Sequence, residues 1–496
     1  MSTPKSPNRR PRLLGPLTLV AAVALLAASC GGSGGDDASG GDSKAASACP
    51  VAALSKAKGP VEIKVWYAFV GLAATTFQQL VDKYNASQTK VKVTAEAQGT
   101  YEEELKKYTD SLRDPASLPQ VVLAEDTNTQ FMIDSGSVVP AASCLEADPK
   151  SQAIFGDLLP AVKAGYSVKG TLWPGAFSVS TPVIYYNKAH FGGAGLDPNT
   201  PPATLDDIRK DAAAIKKARP DGSPMVFRAD SWWMEHLETR AHQALVDQDN
   251  GRKGLATKSK LVNDKTNQYL DWMIGMKNDG LLKVVAYSQT FDAYLSMATQ
   301  SSSMLIETST AATTIDALIT GSLKADQLGV QTGTDLSKLK FPDLDVGVGE
   351  LPGPGSAGSG QIGGNAFYLV DNTAPEKVAA GWDFMKWFNQ TDNQAVWTTQ
   401  GSYLPVHTKV ADSAQVQQYF TTTRPGSWLA TAYKSLQVVD PKFPGPVIGP
   451  YKEFRTASRA MLEDILIAGG DRQKALDTAN STFQKALDEY KLDAGN

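Results

Sequence analysis

Cysteine and histidine are scarce in this chain, with three of the first and four of the second among 496 residues. His190, His236, His242 and His407 show no metal-ligand spacing, so nothing points to an imidazole metal site. No Gly-rich phosphate loop ending in Lys-Ser or Lys-Thr occurs, which removes P-loop nucleotide chemistry. Carboxylates are plentiful, 52 Asp+Glu against 48 Lys+Arg. A glycosidase needs only two of them at a suitable separation, but no motif supports one. Basic residues are not clustered, so the electrostatic footprint of a nucleic-acid binder is missing. No long apolar run follows residue 28, and nothing beyond that point is built to span a bilayer. The expectation is a protein with no catalytic residue, no cofactor, no metal and no nucleic-acid partner.

The N-terminus is what stands out. Residues 13–28 are apolar and follow Lys5, Arg9, Arg10 and Arg12. A basic segment, a short apolar segment and small residues before a cleavage point read as a secretory signal. Gly15, Pro16 and the shortness of the run argue against a spanning helix. Ala27-Ala28-Ser29-Cys30 resembles a bacterial lipobox. That resemblance implies cleavage before Cys30 and lipidation of its sulfur, with an ordinary signal peptide and a chance cysteine as the alternative. Residues 31–47 are almost all Gly, Ser, Asp and Ala, a composition that buries no core. Such a tether spans roughly 20–25 Å r.m.s.. Residues 1–29 are therefore expected to be a lipoprotein signal peptide and 30–58 a lipidated flexible tether. The body would sit on the extracytoplasmic face of the cell membrane. In that oxidising compartment Cys49 and Cys144 form an even pair, read as a disulfide, with two buried thiols as the alternative.

Periodicity gives the class of fold. VEIKVWY at 61–67 alternates, 73–85 carries Phe77, Leu80, Val81 and Tyr84 at helical spacing, and VKVTAEA at 91–97 alternates again. That β-α-β unit implies a parallel sheet with a right-handed crossover. Helical patterns over 101–112, 205–217, 269–277, 291–299 and 471–491 interleave with short strands at 120–124, 181–187, 303–307, 346–348 and 365–370. Thr373 to Glu376 has the form of a capping box with Pro375 in the first turn. The chain reads as α/β and, at this length, as two lobes.

STPVIYYNK at 180–188, with Gly363-Gly364 and Gly401-Ser402-Tyr403-Leu404-Pro405 further on, resembles the extracellular solute-binding proteins of ABC importers. The glycerol-3-phosphate-binding members of the sugar-binding class are the nearest resemblance, over about 60–490. The resemblance implies a monomer of two discontinuous α/β lobes joined by a hinge. Lobe one is expected at 59–178 and 304–355, lobe two at 179–303 and 356–492. It also implies a small-molecule, carbohydrate-like solute and ABC permease subunits as partners.

The same resemblance nominates ligand contacts. Tyr67 ends the first strand and Tyr101 opens a helix; for both the alternative is packing. Glu125 matches an acid that receives ligand hydroxyls, and it lies at a strand's carboxyl end, where open α/β sheets bind ligands. Ser180, Ser309, Gly364 through its backbone N–H, and Tyr403 complete the set. Trp232 and Trp233 align with aromatic contacts, but adjacent residues do not share a face, so one is expected in the core and one at the cleft. Val447 stands where the glycerol-phosphate binders carry an arginine that would clamp phosphate. A neutral sugar or oligosaccharide is therefore expected over glycerol-3-phosphate.

Overall fold

The computed structural model describes residues 49–324, 339–371 and 374–494. The signal peptide, Cys30, most of the tether and Thr373 lie outside them. Cys49, at the start of the described chain, is disulfide-bonded to Cys144, with Cα atoms 4.8 Å apart.

The expected β-α-β unit is formed by strand β1 (Val61–Tyr67), helix Gly71–Ser87 and strand β2 (Val91–Ala97). β1 and β2 pair in parallel from Val61↔Val91 to Tyr67↔Ala97. The remaining strands are β3 (Val121–Glu125), β4 (Val138–Val139), β5 (Ser167–Val168), β6 (Thr171–Leu172), β7 (Gly175–Ser180), β8 (Pro182–Asn187), β9 (Ser223–Arg228), β10 (Leu282–Val285), β11 (Ser302–Thr308), β12 (Val346–Glu350) and β13 (Gly363–Val370). The first sheet has the order β2-β1-β3-β13-β4, with β7 also on β13; the second has β10-β9-β11-β8-β12. Two α/β sheets and two buried apolar clusters match the expected class, the first cluster also taking one face of the second sheet through Val183, Tyr185, Val226 and Leu305. Phe77, Phe177, Trp382 and Trp397 mark one core. Phe191, Tyr269, Phe454 and Phe483 mark the other.

The expected partition of the chain needs correcting. β11 and β12, placed with lobe one, hydrogen-bond into the second sheet, and β13, placed with lobe two, inserts between β3 and β4 of the first. Helices Pro375–Phe388 and Thr391–Gly401 then pack on the first core through Trp382, Phe384 and Trp397. The chain returns to the second core at Ile448 and helix Tyr451–Glu463. The cause is that β11 and β13 are buried on both faces, so neither has an alternation that names its sheet. Helix Pro375–Phe388 has Pro375 in its first turn, as expected; the box read at Thr373 and Glu376 rests on Thr373, which lies outside the described residues. Capping boxes are made at Thr204 with Asp207 and at Thr100, whose hydroxyl accepts from the Glu103 N–H while the Glu103 carboxylate accepts from the Thr100 N–H.

Candidate functional site

β1 and β3 are parallel and end at one edge of the first sheet, at Tyr67 and Glu125. β13 runs the other way and begins at that edge, pairing Asn365 with Glu125 and Gly363 with Ser180. In the second sheet β9, β10 and β11 end together at Arg228, Val285 and Thr308, beside the start of β8 at Pro182. A single residue, Thr181, separates β7 from β8. The two carboxyl edges therefore meet across one peptide of crossing chain, and the space between them is where an open α/β architecture binds ligands.

That space holds a cavity of about 260 Å³. Phe69, Tyr101, Tyr294 and Tyr403 line it with rings, and Thr290, Thr310, Thr313, Thr314 and Ser402 line it with hydroxyl-bearing side chains. Among the described residues no charged side chain lines it. Asn365 is 1% exposed and donates its amide N–H to the phenolic oxygens of Tyr101 at 3.0 Å and Tyr403 at 3.4 Å. Tyr403 also stacks on Trp397, centroids 5.3 Å apart. Burial drives the Tyr101 phenol well above its ordinary range and pushes Tyr403 up to about 12, so both are neutral hydrogen-bonding groups.

Tyr101 also borders a smaller chamber of about 70 Å³ that is charged, lined by Glu102, Glu125, Tyr287, Lys452, Arg455 and Arg459. Arg455 Nη1 donates to Glu125 Oε1 at 3.2 Å, and its Nε and Nη2 fork onto Glu235 at 3.0 Å each. Burial raises the Glu125 carboxyl, against the opposing pull of Arg455. Arg459 donates to Asp230 at 3.0 Å and its guanidinium lies 3.6 Å from the centre of the Tyr287 ring, with Arg228 4.8 Å from the same centre. Burial alone would raise Asp230, but Arg228, Arg459 and Arg455 outweigh it and hold the carboxyl low. Among the described residues no cluster of His, Cys, Asp and Glu could hold a metal ion.

The nominated residues divide into groups. Tyr101, Glu125 and Tyr403 come together at the paired chambers. Ser180, buried, and Gly364 lie at the same sheet edge; Gly364 has φ +123°, and a Cβ there would come within 2.5 Å of the Ser178 carbonyl oxygen, so strand packing alone requires glycine. Ser309 is tied to the crossing, its N–H donating to the Thr181 carbonyl at 2.8 Å and its hydroxyl accepting from the Thr181 N–H at 3.3 Å. Tyr67 packs in the first core against Phe69 and Phe77. Trp233 is buried against Phe227 and Trp272, while half-buried Trp232 lies over Gly363 and neither lines the 260 Å³ cavity. Asn365, Glu235, Tyr294 and the roles of Arg455 and Arg459 were not legible in the sequence. Glu235 and Arg455 are 220 positions apart, and no local pattern marks either.

Val447 is buried, and its N–H donates to the Asn250 carbonyl at 2.9 Å. Gln248, Asp249, Asn250 and Gly251 all have left-handed φ, and a Cβ on Gly251 would meet the Val447 carbonyl oxygen at 1.9 Å. A guanidinium does lie beside this loop, that of Arg252, but it donates to the carbonyls of Gly445, Pro444, Ala164 and Ser167. It fastens chain segments together.

Glu104 sits behind the site, 1% exposed, with Oε1 unpartnered. Burial, reinforced by Glu125, pushes its carboxyl up to about 9. An unfolded glutamate titrates near ~4.3. The folded state therefore holds a proton that the unfolded state has lost, and stability falls as pH rises through that window. Glu104→Gln should stabilise the protein by about 2–4 kcal/mol at pH ~8, with the advantage closing by pH ~5. Thermal unfolding across that range reads this directly, and parallel curves for the two proteins would refute it.

A family model for bacterial extracellular solute-binding proteins matches residues 79–422. The sn-glycerol-3-phosphate-binding periplasmic protein UgpB of Yersinia pestis is 26% identical over 436 residues, covering 86% of this chain and 92% of its own. Among solved structures, the cyclic alpha-maltosyl-1,6-maltose binding protein of Arthrobacter globiformis aligns with a TM-score of 0.65 at 21% identity, over 86% of this chain and 99% of that one. UgpB of Mycobacterium tuberculosis, solved with glycerophosphocholine, aligns with a TM-score of 0.65 at 19% identity, over 88% of this chain and 100% of that one. The shared feature of these structures is the fold.

Proposed function

The chain belongs to the bacterial extracellular solute-binding proteins, the solute receptors of ABC importers, and we propose that it captures a neutral carbohydrate or polyol between its two sheets and delivers it to the permease. The observation that carries this reading is the 260 Å³ cavity at the facing carboxyl edges, walled by rings and hydroxyls and, among the described residues, by no charged side chain. Aromatic faces suit the C–H side of a sugar ring, and Tyr, Thr and Ser hydroxyls both donate and accept. Phe69, Tyr101 and Tyr403 take the stacking role first expected of Trp232 and Trp233. Glu125, Ser180, Ser309 and Gly364 border the same edge and are the further proposed contacts.

A glycerophosphodiester or glycerol-3-phosphate is the second reading, favoured by the ligands in the names of two of the relatives. A buried phosphate without a free cation carries a large desolvation cost. Val447 offers none, and Arg252 is engaged by backbone carbonyls. A thermal-shift screen of sugars, polyols, glycerol-3-phosphate and glycerophosphocholine, followed by calorimetry, separates the two. A ligand at about 100 times its Kd adds roughly 2.7 kcal/mol. Submicromolar binding of glycerol-3-phosphate would overturn the neutral reading.

We also infer attachment to the outer membrane face through lipid on Cys30, with the protein acting as a monomer. Among the described residues no helix is long and apolar enough to cross a membrane. Cys30→Ala should move the protein to the soluble fraction and abolish fatty-acid labelling. Unchanged membrane association would remove the anchor.

A further inference from the structure

We propose that Arg455 is a specificity-determining positioning residue: held by Glu235, it fixes Glu125 as a hydrogen-bond acceptor and leaves no guanidinium for an anion, so that the cleft admits hydroxyl donors and rejects phosphates. This deepens the reading of the cleft as a solute site and rests on it.

The relay begins in the second core. Glu235, on helix Trp232–Arg240, is 1% exposed and accepts from Ser231 Oγ at 2.9 Å, Tyr451 OH at 3.0 Å and the Arg455 fork. Four donors saturate the carboxylate and fix its plane. The fork in turn fixes the guanidinium, because its nitrogens are coplanar and rigid. The remaining edge, Nη1, is thereby directed across the space between the sheets onto Glu125 Oε1. Among the described residues the second Glu125 oxygen has no hydrogen-bond partner, and 32% of the side chain remains exposed where it lines the charged chamber.

A ligand hydroxyl can donate to that oxygen. An incoming phosphate meets it as a like charge, with Glu102 beside it, and finds Arg455 committed on both edges. Arg459 is held by Asp230 and the Tyr287 ring, and Lys452 is exposed at the rim. The cation that bridges the two sheets therefore acts on specificity through a carboxylate and does not bind an anion itself.

Neutralising Glu125 should release Nη1. In titrations with inorganic phosphate and with sn-glycerol 3-phosphate, Glu125→Gln should bind both about tenfold or more tightly than wild type. The gain should vanish in Glu125→Gln/Arg455→Met and be reduced in Glu125→Gln/Arg455→Lys, which keeps the charge without the fork. The lysine variant keeps the test open should the methionine variant fail to fold. No gain in Glu125→Gln, a gain that survives loss of Arg455, or wild-type phosphate binding as tight as the variant's would each overturn the relay. The neutral-solute reading fails separately, when no sugar or polyol raises the wild-type melting temperature.

Discussion

Glu235→Leu should cost about 3–5 kcal/mol of folding stability, because it strands a buried guanidinium. Arg455 is only 8% exposed and donates to Glu235 through two of its three nitrogens. Ser231 and Tyr451 lose their acceptor in the same substitution. Leucine supplies apolar volume but accepts nothing, and Glu125, the other carboxylate on the arginine, is reached through a single nitrogen. Most of the loss is the penalty of the unpaired cation, so Glu235→Leu/Arg455→Met should recover much of it. Chemical denaturation of both variants measures the difference. A loss under ~1 kcal/mol in the single variant would show that Arg455 finds another partner or water when Glu235 is gone.

Removing the Cys49–Cys144 bond should cost about 4–5 kcal/mol at most, from the entropy of opening a loop of sequence separation 95 in the unfolded chain. The folded state loses order as well. Val51, Leu54 and Ala57 lie on the first core just after Cys49, and the short helix Ala53–Lys56 has no side-chain cap. The bond holds residues 49–58, the end of the expected 30–58 tether, against the body, so this part is not a free linker. Cys144→Ser should lower the melting temperature, and so should reduction of the unfolded wild type before refolding. Non-reducing peptide mapping should recover the two cysteine peptides linked. Two alkylatable thiols in the unreduced, denatured protein would contradict the bond.

Elements whose signal is local were readable from the sequence. The first β-α-β unit declared itself because alternation and the 3.6-residue period both lie within a few residues of one another. Glu125 was placed at the cleft by one rule, that ligands meet parallel strands at their carboxyl ends. Tyr101 and Tyr403 were reached through resemblance, and the structure brings them together through Asn365, which read as nothing more than the start of a strand. The capping box at Thr100 was not legible, since sequence form alone does not say which side chain turns back onto the helix.

The sequence by itself determined the α/β class and the first β-α-β unit, and it nominated the cysteine pair and Tyr101, Glu125 and Tyr403, which the structure brings together. Tertiary structure alone decided which sheet each fully buried strand enters, which tryptophan is core, and which charges meet. Asn365 and Tyr101 lie 264 positions apart, and Arg455 and Glu125 lie 330 apart. The reason is physical: secondary structure follows from contacts a few residues long, whereas a strand such as β13, apolar on both faces, and an ion relay between two sheets are set by partners that the local chain does not contain.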